Sequence, residues 1–127
     1  MKHEILDIPI YNILENSLKD IIGDGKVFPC FGVDEKPPFI TYTVTPISEN
    51  HIIQSQIEIK SVSQSRLEAL KLICEIDKIL SMDEDEPTKT MEGINFFSSS
   101  AGGGCLYNDS INMWEVNKIY IMKWRSL

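Results

Sequence analysis

Residues 56–80, QIEIKSVSQSRLEALKLICEIDKIL, decide the fold, because a strand pattern passes there almost directly into a helix pattern. Ile57 and Ile59 alternate with charged neighbours, which is typical of a strand with one face in water. The apolar spacing then changes to 3.6 residues, and one helical face collects Ala69, Leu72, Ile73, Ile76, Ile79 and Leu80. The stretch therefore predicts a strand followed by an amphipathic helix over residues 65–81, with that face packed on a sheet.

A second apolar strip lies beside the polar side of this helix and consists of Leu67, Leu70 and Cys74. The polar side carries Glu68, Lys71, Glu75 and Lys78, spaced for ion pairs. A helix this apolar in a small protein is covered on more than one side, by the sheet alone or by the sheet and another subunit. The strip residues are therefore candidate subunit or partner contacts, and Cys74 is also predicted to be a small core residue.

The other elements follow from turn residues and period-two patterns. Asp7 as N-cap and Pro9 in the first turn predict the start of a helix that ends at Gly23 and Gly25. Strands are predicted at residues 26–31, 39–45, 52–62, 92–100 and 115–125, the second and third as an antiparallel hairpin. The resulting order is α-β-β-β-α-β-β, an α+β fold with two helices packed on an antiparallel sheet.

Composition places limits on the class of protein. A chain of 127 residues is predicted to form a single domain, residues 1–127. Twelve basic against 19 acidic residues give a net charge of −7, which argues against a dedicated nucleic-acid binder but not against a protein that DNA merely passes. Three widely spaced cysteines do not form a disulfide framework. Neither a signal peptide nor a membrane span is apparent, so we expect a cytoplasmic protein.

Two segments suggest chemistry but lack its spacing. Four consecutive acids, Asp83, Glu84, Asp85 and Glu86, are followed by proline, whereas calcium loops alternate their ligands and contain a glycine. A phosphate loop requires a lysine and a following helix. The tract Gly102, Gly103 and Gly104 is followed by neither a lysine nor a helix pattern. The acids are predicted to form a solvated loop and the glycines a mobile loop between strands, both being candidate partner contacts. We expect no catalytic residue, no metal, no cofactor and no enzymatic activity.

Taken in order, the segments VFPCF, PFITYTV, QIEIKSVS, LEALKLICEIDKIL and KIYIMKWR resemble the tail-terminator and tail-completion proteins of long-tailed phages and prophages. The resemblance covers nearly the whole chain and rests on the order of elements, with no signature residue in the match. The glycine tract has no counterpart in that pattern. The resemblance implies helices packed against an antiparallel sheet, in agreement with the pattern of the residues.

The resemblance also implies a role. Such proteins are non-enzymatic virion components that cap the tail tube as a ring, commonly hexameric, and help to join tail and head. The implied partners are further copies of the chain, the tail-tube protein and the head-completion protein, while DNA passes without specific binding. The protein would be cytoplasmic during assembly and then part of the virion tail. The alternative is a small cytoplasmic α+β binding module, a regulator or inhibitor, that acts as a monomer or dimer.

Overall fold

Two helices and six strands form the described part of the computed structural model, which comprises residues 2–29, 36–49 and 52–127. The helices are α1 (Lys2–Ile22) and α2 (Arg66–Leu80). The strands are β1 (Val27–Pro29), β2 (Phe39–Glu49), β3 (Ile53–Ser63), β4 (Lys89–Met91), β5 (Ile94–Asn108) and β6 (Met113–Ser126).

All six strands belong to one sheet in the order β1-β2-β3-β6-β5-β4. The α+β class with two helices is confirmed, but the sheet is mixed, because β1 lies parallel to β2 while the other pairs are antiparallel. The predicted order also lacked β4. This strand has only three residues, too few to show an alternation of apolar and polar side chains. A parallel neighbour needs a crossover, which residue periodicity cannot reveal.

The hairpin of β2 and β3 is confirmed and supplies one face of the core. Tyr42 lies opposite Ile59, and Val44 lies opposite Ile57. Ile40 and Tyr42 are buried, and Val44 packs against the same core. Because residues directly opposite each other share a face, this register places the apolar side chains of both strands together.

The helices cover that same face. Residues spaced four apart along α1, Leu6, Ile10, Leu14 and Leu18, are fully buried. Along α2 the buried residues are Ala69, Leu72, Ile73, Ile76 and Leu80. These side chains form one cluster with the inward-facing residues of the sheet, so a single core lies between the helices and the sheet.

The first helix departs from the prediction at its beginning. It starts at Lys2, so Asp7 is not an N-cap and Pro9 lies inside the helix. Asp7 instead accepts a 3.2 Å hydrogen bond at Oδ2 from the hydroxyl of Tyr42, and Pro9 is buried. Packing of this part of α1 against the core offsets the backbone bond that proline cannot make. The predicted end is confirmed, since Gly23 has a φ of +89°.

Candidate assembly surfaces

Three serine and glutamate side chains fix the passage from β3 into α2. Ser65 is the N-cap, and its Oγ accepts a 3.4 Å hydrogen bond from the backbone N–H of Glu68. Ser63 Oγ donates to Glu68 Oε1 at 2.6 Å and accepts from the backbone N–H of Ser65 at 3.0 Å. This network sets the direction in which α2 leaves the sheet, and so determines which of its sides remains open.

Asp77 fixes α2 further along its length. Its carboxylate accepts hydrogen bonds from the Tyr120 hydroxyl and, at 3.4 Å, from Lys118 Nζ, both on β6. Burial, together with the hydrogen bond to Asp77, raises the pKa of the Tyr120 hydroxyl well above its usual value. The phenol therefore stays neutral and acts as a hydrogen-bond donor, which keeps this side of α2 facing β6.

The second apolar strip of α2 lies on an accessible side of the helix. Leu67 is 65% exposed, Cys74 is exposed and Leu70 is half-buried against the core. The prediction that Cys74 is a core residue was wrong, because the inward positions are filled by residues such as Leu72 and Ile76. As candidate contacts, Leu67 and Cys74 are available to a partner.

The acidic segment forms a tight turn just beyond α2. The backbone N–H of Glu86 donates to the carbonyl of Asp83 at 3.0 Å, and Glu86 Oε1 accepts from the backbone N–H of Asp83 at 3.1 Å. Glu84 and Asp85 are exposed. Within the described ranges, no three His, Cys, Asp or Glu side chains are grouped as a metal ion would require.

The glycine tract is part of a strand, so the predicted mobile loop was wrong. The register of β5 against β6 shifts between Ser100 and Gly102, which makes Ala101 the extra residue of a bulge. Gly102 has a φ of +133°, a conformation that favours glycine. A Cβ on Gly103 would lie 2.4 Å from the carbonyl oxygen of Asn117. These glycines therefore allow β5 to bend and to approach β6 closely.

The second half of β5 is the most exposed part of the sheet. Residues 101–107 are all exposed, including Leu106 at 55% and Tyr107 at 44%. Tyr107 makes an edge contact with Trp114 of β6, with ring centroids 5.2 Å apart. Leu106 and Tyr107 were not among the predicted contact residues, although residues 93–108 form a run of 16 residues without a charge.

A basic depression lies at another corner of the sheet. It has a volume of about 290 Å³, and its lining includes Phe97, Lys123 and Arg125. Trp124 also lines the depression, but it is only 2% exposed and donates from Nε1 to Ser55 Oγ at 3.1 Å. Two cations therefore flank an apolar patch, while the indole belongs to the core.

The predicted contact residues form separate surfaces. The strip on α2 consists of Leu67, Leu70 and Cys74, the acidic turn follows the C-terminal end of that helix, and the glycines lie in β5.

Neither helix, over the part of the chain that the structure describes, has the length and apolarity needed to cross a membrane.

Comparison with known proteins gives a structural likeness only. No protein-family model matches the sequence, and none of the curated proteins matches it. One solved structure, named only by a protein identifier, superposes with a TM-score of 0.69 at 10% identity, covering 98% of this chain and 96% of the other. A chain from the virion of a native gene transfer agent (GTA) particle superposes with a TM-score of 0.59 at 9% identity, covering 84% and 83%. The protein shares its fold with both chains.

Proposed function

We propose that this chain is a non-enzymatic structural protein of a phage-type particle that caps the tail tube as a ring and helps to join the tail to the head. The observation that carries the proposal is the fold likeness to a chain from the virion of a gene transfer agent particle. It agrees with the resemblance of the ordered segments of the sequence to tail-terminator and tail-completion proteins. The proposed partners are further copies of the chain, the tail-tube protein and the head-completion protein.

The distribution of exposed side chains suits such a role. The chain presents Leu67 and Cys74 on α2, an acidic turn at the end of that helix, and Leu106 and Tyr107 on β5. Head-to-tail contacts that close into a ring need two different surfaces on each subunit. A cap needs further surfaces for the tube and for the head, and these three regions are candidates for contacts of both kinds.

The net charge of −7 also fits a channel through which DNA moves. Binding to DNA relies on lysine and arginine side chains that neutralise phosphates. A ring of acidic subunits repels the phosphate backbone, so DNA passes without being held.

A second candidate function is a small binding module, a regulator or inhibitor that acts as a monomer or dimer. The depression lined by Phe97, Lys123 and Arg125 favours it, because an apolar patch beside two cations suits a ligand with apolar and anionic groups. Native mass measured with and without tail-tube protein separates the two functions, since only a cap assembles on the tube.

Deletion of the gene from its parent phage or prophage tests the proposed function. We expect filled heads and unjoined tails, many of abnormal length, in electron micrographs of the deletion. A plasmid copy of the wild-type gene should restore joined particles. Joined particles of uniform tail length in the deletion would refute the proposal and leave the binding module as the better account.

Complementation with surface variants then asks whether α2 takes part in the contacts. Leu67→Asp changes an exposed side chain of the second apolar strip and should fail to restore joining. Lys19→Asp changes an exposed side chain of α1, outside the candidate surfaces, and should restore it. Equal complementation by both variants would remove the strip of α2 from the contact surfaces.

A further inference from the structure

The outer side of β5 offers an unpaired strand edge. Strand β4 pairs with β5 only as far as Phe96, and the carbonyl of Ser98 accepts a 3.0 Å hydrogen bond from the backbone N–H of Met82. Beyond Ser98, no strand within the described ranges pairs with this side of β5. We call the outer backbone of residues 99–107 the free edge.

Natural sheets protect such edges with prolines, charges or very short strands. The opposite edge of this sheet has that protection, because β1 is three residues long and ends at Pro29, and β2 contains Pro46 and ends at Glu49. The free edge has neither a proline nor a charge, and three of its nine residues are glycines. It is therefore the edge on which another strand can be added.

We propose that the free edge pairs antiparallel with the same edge of a second copy of this chain. The contact would be two-fold, with six strands from each copy in one continuous sheet of twelve. Placed about its midpoint, Gly103, this pairing sets Ala101 opposite Cys105 and Ser99 opposite Tyr107. The inference concerns the free protein and does not rest on the proposed function.

Electrostatics favour this occupant. Two copies that each carry a charge of −7 repel one another, and like charges directly opposite across strands are destabilising. Residues 93–108 contain no charge, so two copies meet at the free edge without placing like charges together. Pairing also brings the exposed side chains of Leu106 and Tyr107 next to the other copy.

The pairing stops at two copies. Each copy uses the one unprotected edge found among residues 2–29, 36–49 and 52–127, and the other edge of each sheet is protected by Pro29 and Pro46. A tail cap has different faces towards tube and head, whereas a two-fold pair has equivalent ends. The two-fold contact therefore belongs to the free protein, and on the proposed function it would be released when the ring assembles.

Sedimentation equilibrium of the purified chain and its Gly104 variants tests the pairing. As its concentration rises, the apparent mass of the wild type should increase from the 14.5 kDa of one chain to twice that mass. Gly104 lies next to the two-fold axis, and a side chain there would meet only the side chain of Asn117, at 3.4 Å. Gly104→Lys and Gly104→Glu should each be monomeric, because each pairing would bring two like charges together.

An equimolar mixture of the two charged variants should regain the dimer mass, because the charges then attract. Gly104→Ala should remain dimeric, as should Thr45→Lys, which places the same charge on the opposite edge. Thermal melts of all variants establish that they are folded. A wild type that is monomeric at the highest soluble concentration, a ring-sized wild type, charged variants that stay dimeric, or a mixture that stays monomeric would each overturn the pairing.

Discussion

Replacing Gly103 by alanine is expected to destabilise the protein, whereas the same change at the neighbouring Gly104 is not. The two residues follow one another in β5, but they meet β6 differently. A Cβ on Gly103 would lie 2.4 Å from the carbonyl oxygen of Asn117 and 3.1 Å from the Cα of Lys118. A Cβ on Gly104 would approach only the Asn117 side chain, at 3.4 Å.

The size of the effect follows from these distances. Carbon and oxygen atoms in contact lie about 3.3 Å or more apart, so the added Cβ of Gly103→Ala forces the two backbones apart by most of an ångström. Overpacking of this kind costs about 1–3 kcal/mol, and each weakened ladder hydrogen bond adds about 1 kcal/mol. Alanine recovers about 0.4–1 kcal/mol by restricting the unfolded chain. We therefore expect a net loss of about 2–3 kcal/mol for Gly103→Ala and a small gain for Gly104→Ala.

Urea unfolding followed by tryptophan fluorescence measures both variants against the wild type. The two variants have the same composition and the same restriction of the unfolded chain, so their difference isolates the contact with Asn117. In thermal melts, a loss of 2–3 kcal/mol corresponds to a fall of roughly 10 °C for a domain of this size. If Gly103→Ala is as stable as Gly104→Ala, the inference that β5 approaches β6 closely at Gly103 is refuted.

Three further predictions concern the core, alkaline pH and metal binding. Ile76→Ala removes a side chain that is 1% exposed and should cost about 2–5 kcal/mol in urea unfolding, whereas Leu67→Ala, at an exposed site of the same helix, should change stability by less than about 0.5 kcal/mol. The fold raises the pKa of the Tyr120 hydroxyl above the value of about 10 that it has in the unfolded chain. The contribution of this hydroxyl to the free energy of unfolding is therefore complete below about pH 10 and is lost as the pH rises above that value. Urea midpoints of the wild type should therefore fall more steeply above that pH than those of Tyr120→Phe, and parallel curves would contradict this role. Calorimetric titration with calcium, magnesium or zinc should show no stoichiometric binding at residues 83–86, and a micromolar 1:1 isotherm would overturn that prediction.

The elements with a long, regular period were predictable from the sequence. The alternation in β2 and β3 and the apolar face of α2 each extend over several repeats, and the structure confirms the hairpin and the burial of Leu72 and Ile76. Ile79, predicted to be buried with them, is only half-buried at the border of that face.

The remaining features depend on tertiary contacts that a local pattern does not contain. A run of glycines is compatible with a mobile loop or with a bulge and a close approach, and only the position of β6 decides for Gly103. The accessible side of Cys74 depends on how Asp77 is held against β6. The open half of β5 results from helices that cover the sheet incompletely, and its trace in the sequence is the uncharged run of residues 93–108.

The position of β6 has a consequence for how the chain folds. This strand is synthesised after the other five, yet it lies between β3 and β5 near the middle of the sheet. Until β6 emerges from the ribosome, no strand connects β5 to β1, β2 and β3. Strand β3 then pairs only with β2, and one of its edges is open. Pairing between segments that are distant in sequence forms slowly, so the sheet of the nascent chain stays incomplete until β6 has been synthesised and has paired. Protection of such intermediates by chaperones should matter most during the synthesis of residues 94–126.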